Sequence, residues 1–189
     1  MDAAKPHAVM HSAVLSSDST IPQVFWISTF AVLTAVGAQI EIPHQPVPYT
    51  FQTLVVLLAG AMLGPRNGFL SMMMYLTMGA VGLPVYSGAG FGFVRILGPT
   101  GGYLLAFPLA AALVGYLVSK RRGFILTFAA MFAGLLIIFS LGTIQLNLVY
   151  FNDWSNAFKA GFLIFSWWDL LKLFAAAAIY HQLAGRIRQ

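Results

Sequence analysis

Residues 82–103 read GLPVYSGAGFGFVRILGPTGGY, a glycine-rich loop with a single arginine set between long apolar runs. Gly88, Gly90 and Gly92 remove side chains where the backbone must bend or let a small molecule come close. Arg95 adds a fixed cationic fork suited to a carboxylate. Gly98, Pro99, Gly101 and Gly102 then turn the chain into the next hydrophobic run. Two readings stand on these residues alone. Either the loop contacts a ligand, or it is a structural connection whose arginine rests among lipid headgroups.

The surroundings of the loop fix the class. Of the 189 residues, 59% are hydrophobic and 8% charged, and the mean hydropathy is +0.82, a balance foreign to soluble domains. The chain is therefore expected to be an all-α membrane protein. Its formal charge of +5 does not point to nucleic acid, because the basic residues are scattered among oily runs and form no basic face. They read as topology signals. With no cysteine there is no disulfide frame, thiol nucleophile or cysteine metal site. Residues 1–22 lack an apolar core leading to a small-residue cleavage site and are expected to form a cytoplasmic tail. Residues 23–189 are then one transmembrane domain.

Outward from the loop, the chain divides into six apolar segments, expected at about Val24–Ile40, Thr50–Leu63, Phe69–Leu83, Tyr103–Val118, Phe124–Val149 and Phe158–Leu183. The first ends at Glu41 before IPHQPVP, whose prolines exclude regular helix. The second is too short to cross a ~30 Å hydrocarbon core upright and needs help from its neighbours. Gly64-Pro65-Arg66-Asn67-Gly68 is expected to be a tight turn. With the N-terminus inside, Arg66, Lys120, Arg121, Arg122, Arg186 and Arg188 all fall on the cytoplasmic side, joined by Lys5, against Arg95 and Lys159 outside. The positive-inside rule thus favours both termini in the cytoplasm and the glycine-rich loop outside.

Polar groups inside the apolar runs are the next signal. Asp169 and Lys172, in SWWDLLK, lie three residues apart and share a helical face. Charges at that depth mark a ligand or ion path by default, or else form a self-neutralising pair that locks a helix to its neighbours. The adjoining Trp167 and Trp168 could stack on a ligand ring or belong to an interfacial belt. Gln52, Gln145 and Asn147 must find partners inside the bundle, as pocket lining or as interhelical glue. Ala31 and Ala35 sit one turn apart on the first segment, and Gly60, Gly64 and Gly68 recur at intervals of four, stripes that let helices approach closely and most often within one chain.

Catalytic readings fare badly. HExxH, GxSxG and P-loop patterns are absent, and no carboxylates pair in a plausible site. GAGFG lacks the third glycine of a dinucleotide fingerprint and joins no strand to a helix. His44 and His181 are isolated, and His7 and His11 fall in the tail, so no metal or other cofactor is expected.

PVPYTFQTL at 46–54, LLAGAMLGP at 57–65, GAVGLPVY at 79–86, GPTGGY at 98–103 and WDLLK at 168–172 together resemble the BioY family, the biotin-specific substrate-capture components of energy-coupling factor transporters. The resemblance covers roughly residues 24 to 185. It implies six transmembrane helices with both termini cytoplasmic, in the cytoplasmic membrane, and a biotin pocket near the outer surface closed by extracellular loops. Biotin offers a carboxylate, an apolar chain and thioether, and a ureido group. On the family's pattern Asp169 accepts from the ureido N–H groups, Lys172 donates to the ureido oxygen and Arg95 holds the carboxylate, with the converse use of Lys172 on the carboxylate left open. Tyr86, Ser87, Tyr103 and Gln52 are further candidates for lining the pocket. After Pro84-Val85 this chain carries YSGAG in place of the family's usual loop residues.

The same resemblance turns Ala31 and Ala35 into an expected partner surface. The family's AxxxA pattern packs against a transmembrane coupling subunit, and two cytoplasmic ATPase subunits supply the energy. The implied role is high-affinity capture of biotin outside, closure of the loops and tilting of the subunit in the lipid to release it inside. Hydrolysis of ATP would belong to the partners, so the chain itself is expected not to be an enzyme. The alternatives are a capture component for another carboxylate-bearing vitamin, or a solitary biotin transporter. A purely structural membrane protein would not need Asp169 and Lys172 at depth.

Overall fold

A computed structural model describes residues 20–120, 123–163 and 167–186. The expected tail as far as residue 19, and Arg121, Arg122 and Arg188, lie outside them. The first helix, α1 (Thr20–Gln39), takes in the last three residues of the expected tail. Two short antiparallel strands follow, β1 (Glu41–Ile42) and β2 (Tyr49–Thr50), with Glu41 opposite Thr50. The proline loop thus folds into a small hairpin. It carries Tyr49 and Thr50 back against the end of α1, where the Phe51 amide donates to the carbonyls of Gly37 and Ile40.

Helix α2 (Gln52–Ala80) is broken at Gly64, whose φ of 80° and ψ of 179° suit glycine far better than other residues. Its two arms, 52–63 and 65–80, fold back on one another. Gln52 Nε2 lies 2.6 Å from the Tyr75 hydroxyl, a contact that a straight helix, rising 1.5 Å per residue, would prevent by separating them by more than 30 Å. A Cβ on Gly68 would come within 3.0 Å of Gly60 Cα. The expected five-residue turn is therefore shorter. Helix resumes at Pro65, because proline's fixed φ and missing N–H suit the first helical position.

The loop after α2 forms a short 3₁₀ turn (Ser87–Ala89) and a brief helix, α3 (Phe93–Leu97). Helix α4 (Gly101–Lys120) runs through the centre, packed on both α2 and α5 (Phe124–Leu146). Its close approach is set by glycine: a Cβ on Gly60 would sit 2.4 Å from the Ala111 carbonyl oxygen, and one on Gly115 would sit 2.5 Å from Gly64. The glycine stripe of α2 therefore packs helices of this chain. A π turn (Asn147–Phe151), the short helix α6 (Trp154–Ala157) and a second π turn (Phe158–Phe162) lead to α7 (Trp167–Arg186). The expected sixth segment is thus interrupted, and Asp169 falls in the first turn of α7.

Among the described residues, four helices are long and apolar enough to cross a membrane, or five if Trp154–Phe162 and Trp167–Ala184 count as one bent span. Their outward faces remain apolar, with Val32, Val36, Leu105 and Leu109 exposed, as lipid requires. Ala31 corrects an expectation. It is fully buried in the chain's own core, while Ala35 is half-buried against that core. In this arrangement Ala31 is not an open partner surface, because its missing bulk is used by a neighbouring helix of the same chain.

The turn into α4 tolerates no side chain at Gly101, where a Cβ would lie 1.7 Å from the Ile96 carbonyl oxygen and 2.5 Å from Gln145 Nε2. A Gly101→Ala variant is expected to lose more than about 2 kcal/mol of stability, since backbone must shift to admit the methyl group. A clear fall in the thermal midpoint of the purified protein checks it, and an unchanged midpoint would contradict the close approach.

Candidate functional site

The buried centre of the site is an ion pair. Asp169 and Lys172 are 3% and 5% exposed, and Lys172 Nζ lies 2.6 Å from Asp169 Oδ1. Asp169 sits in the first turn of α7, where the helix dipole favours a carboxylate. Lys172 Nζ also donates to the Thr50 carbonyl at 2.8 Å and to Thr53 Oγ1 at 2.9 Å. All three of its protons therefore have acceptors, and the ammonium ties α7 to the β hairpin and to the start of α2.

A second set of hydrogen bonds extends from the same hairpin. Thr50 Oγ1 donates to Gln52 Oε1 at 3.0 Å, Gln52 Nε2 donates to the Tyr75 hydroxyl, and that hydroxyl donates to the Val85 carbonyl at 3.1 Å. Tyr86 stacks edge-on against Tyr75 with ring centroids 5.6 Å apart and donates its hydroxyl to the Leu76 carbonyl at 2.7 Å. Burial pushes the Tyr86 phenol up to about 12, so it remains a neutral donor. Its ring lies over Gly79, where a Cβ would come within 2.1 Å of the ring. The glycine before the loop thus makes room for the aromatic that anchors the loop.

These groups enclose one cavity. Arg95, Asp169, Lys172, Tyr86, Ser87, Tyr103 and Gln52 all line it, together with Thr50, Thr53 and an apolar wall of Leu104, Phe107, Ile138 and Phe139. The space among them that a water-sized molecule can enter is about 60 Å³, below the ~300–1,000 Å³ of small-molecule sites, so the walls must part to admit a ligand. Arg95 is the exposed member, with Nε 2.8 Å from where a Cβ on Gly90 would stand. Gly90 thereby leaves the guanidinium its place. Tyr103 contributes ring surface, since its hydroxyl donates to the Gly161 carbonyl at 2.9 Å.

The sequence reading missed Thr50, Thr53 and Tyr75, which hold the charged and amide groups in position, and the aromatic and aliphatic wall. Trp167 and Trp168 do not line the cavity: Trp167 is exposed and Trp168 packs against Phe51. Gln145 is structural, donating to the Ile96 and Gly98 carbonyls at 2.8 Å each and so fastening the loop to α5. Asn147, buried in the first π turn, does not line the cavity either. Among the described residues no cluster of His, Cys, Asp and Glu is placed to hold a metal.

A cavity with an apolar wall, a buried acceptor–donor pair and an exposed guanidinium suits a small amphipathic molecule with a hydrogen-bonding head and an acidic group. The model of the BioY family matches residues 10–189. The chain belongs to the BioY family. Among BioY relatives, the biotin transporter BioY of Thermotoga maritima is 42% identical over 157 residues, covering 83% of this chain and 92% of the relative. The probable biotin transporter BioY of Pyrococcus horikoshii is 40% identical over 163 residues, 86% of this chain and 96% of that one. The fold matches a crystal structure of the S-component for biotin from an ECF-type ABC transporter, with a TM-score of 0.81 at 23% identity over 88% of this chain and 93% of that one.

Proposed function

We propose that this chain captures biotin at the outer face of the cytoplasmic membrane, as the substrate-specific subunit of an energy-coupling factor transporter. The observation that carries the reading is the buried Asp169–Lys172 pair lining the same cavity as Arg95 and an apolar wall. Biotin matches each part. Its ureido N–H groups meet the Asp169 carboxylate, its ring and chain lie along Leu104, Phe107, Ile138 and Phe139, and its carboxylate pairs with Arg95. Lys172 has its protons engaged by Asp169, Thr50 and Thr53, so donating to the ureido oxygen requires it to release one of them on binding.

Six transmembrane helices follow if the two arms of α2 count separately alongside α1, α4, α5 and α7. Both termini are then cytoplasmic and the β hairpin and glycine-rich loop are outside, in accord with the basic residues at Arg66 and Lys120. Residues 23–189 form the transmembrane domain and the preceding segment a cytoplasmic tail. Lipid surrounds the bundle. Ala35, half-buried on α1, is the remaining alanine contact for a coupling subunit, which two ATPase subunits drive so that the whole chain tilts and releases biotin inside.

Titration of the detergent-purified protein with biotin, followed by tryptophan fluorescence, tests the reading. A saturable change in fluorescence with added biotin is expected. A folded sample that ignores biotin but binds another carboxylate-bearing vitamin would replace the substrate and keep the fold.

A further inference from the structure

The end of α1 holds the glycine-rich loop by two points of one side chain. Gln39 Nε2 donates to the Tyr86 carbonyl at 3.0 Å, and Gln39 Oε1 accepts from the Ala89 amide at 3.1 Å. The amide thus grips both sides of a small closed loop, in which Tyr86 and Gly90 exchange backbone hydrogen bonds at 3.0 and 3.2 Å. The loop needs that support. Gly88 has φ of 62° and Ala89 φ of 52°, and for alanine the left-handed region is unfavourable. Outside this grip, the flanking Gly82 and Gly92 also have positive φ, and nothing lies within 4 Å of where their side chains would stand. Two permissive glycines with open space around them therefore bracket a segment that carries the cavity-lining Tyr86 and Ser87.

We infer that Gln39 is a positioning residue, a clasp that holds the glycine-rich loop over the cavity and ties its opening to the position of α1. The same loop is joined at its root to the ion pair through Val85, Tyr75, Gln52, Thr50 and Lys172. A displacement of α1 along or away from the bundle withdraws the Gln39 amide, frees the Tyr86 carbonyl and Ala89 amide, and loosens the 87–90 turn, while the Tyr86 hydroxyl on Leu76 and the Gly92 amide on Gly79 keep the loop's root in place. The inference rests on the reading of the cavity as the biotin site. A plain helix-end role is the competing account, since Gln39 Nε2 also lies 3.3 Å from the Ala35 carbonyl. That role would leave Oε1 without a purpose.

The test compares wild type, Gln39→Ala and Gln39→Glu in detergent, with biotin as the probe. Two modest hydrogen bonds at a part-exposed site amount to roughly a tenfold effect. Dissociation of biotin from Gln39→Ala is expected to be about tenfold faster, with the association rate changed by less than about twofold. Gln39→Glu keeps the acceptor for Ala89 but places a carboxylate against the Tyr86 carbonyl, and is expected to give an equal or larger acceleration. Equal dissociation rates in all three proteins would overturn the clasp, as would a lowered thermal midpoint with unaltered dissociation, which marks a structural role. Hydrogen exchange of the 82–97 segment without ligand supplies a readout independent of biotin, and about tenfold faster exchange is expected in Gln39→Ala. If wild type binds no biotin, the substrate assignment fails alone, and exchange still decides the clasp: unchanged protection overturns it.

Discussion

An Asp169→Ala variant should lose biotin binding by at least about a hundredfold while still inserting in the membrane. The reason lies in what the carboxylate faces. Lys172 is 5% exposed, and its Nζ is 2.6 Å from Asp169 Oδ1. Removing one partner of such a buried pair costs about 3–5 kcal/mol, because the remaining charge stays in a poor solvent without its counterion. Thr50 and Thr53 still accept from the ammonium, which limits the structural damage and keeps the hairpin near its place. A ureido head, by contrast, would lose the cavity-lining carboxylate proposed to receive its N–H groups. A double variant, Asp169→Leu with Lys172→Met, separates the two contributions. It removes both buried charges and is expected to recover thermal stability relative to Asp169→Ala without regaining biotin. Equilibrium binding and thermal midpoints on the three proteins check this, and a double variant that binds like wild type would exclude the pair from the site.

Much of this arrangement was legible in the sequence because cost makes charges conspicuous in lipid. Asp169, Lys172 and Arg95 stood out for that reason, and the cavity brings all three together. The break at Gly64-Pro65 was legible from residue chemistry, although helix resumes at Pro65 instead of after Gly68. Other parts were not, because their meaning arises only from chain returning on itself. Thr50 and Thr53 are ordinary residues until α7 delivers an ammonium to them from 122 and 119 positions away. Phe107, Ile138 and Phe139 are indistinguishable by type from the many apolar residues facing lipid. Ala31 shows the limit of a motif: AVLTA fits a partner pattern, yet the fold spends that small side chain on internal packing.

Arg95→Ala is expected to weaken biotin by about 10- to 100-fold, the ~1.5–3 kcal/mol of a hydrogen bond to a charged group. The same substitution should do almost nothing to a biotin carboxamide, which wild type is expected to bind less well than biotin. Pairing a protein change with a ligand change isolates the carboxylate contact, since all other contacts cancel in the cycle. It also decides between the two cations of the cavity. The Lys172 ammonium is committed to Asp169, Thr50 and Thr53, whereas the Arg95 guanidinium is exposed and has no salt-bridge partner among the described residues, which is why the coupling is assigned to Arg95. Equal weakening of acid and amide by Arg95→Ala would remove it from the carboxylate and shift that role to Lys172. Gly90→Ala offers a milder version of the same experiment. Its methyl group would come within 2.8 Å of Arg95 Nε and 3.0 Å of the Ser87 carbonyl oxygen, so the guanidinium must move, and a several-fold loss for biotin with a smaller change for the carboxamide is expected, chiefly from displacement of the fork.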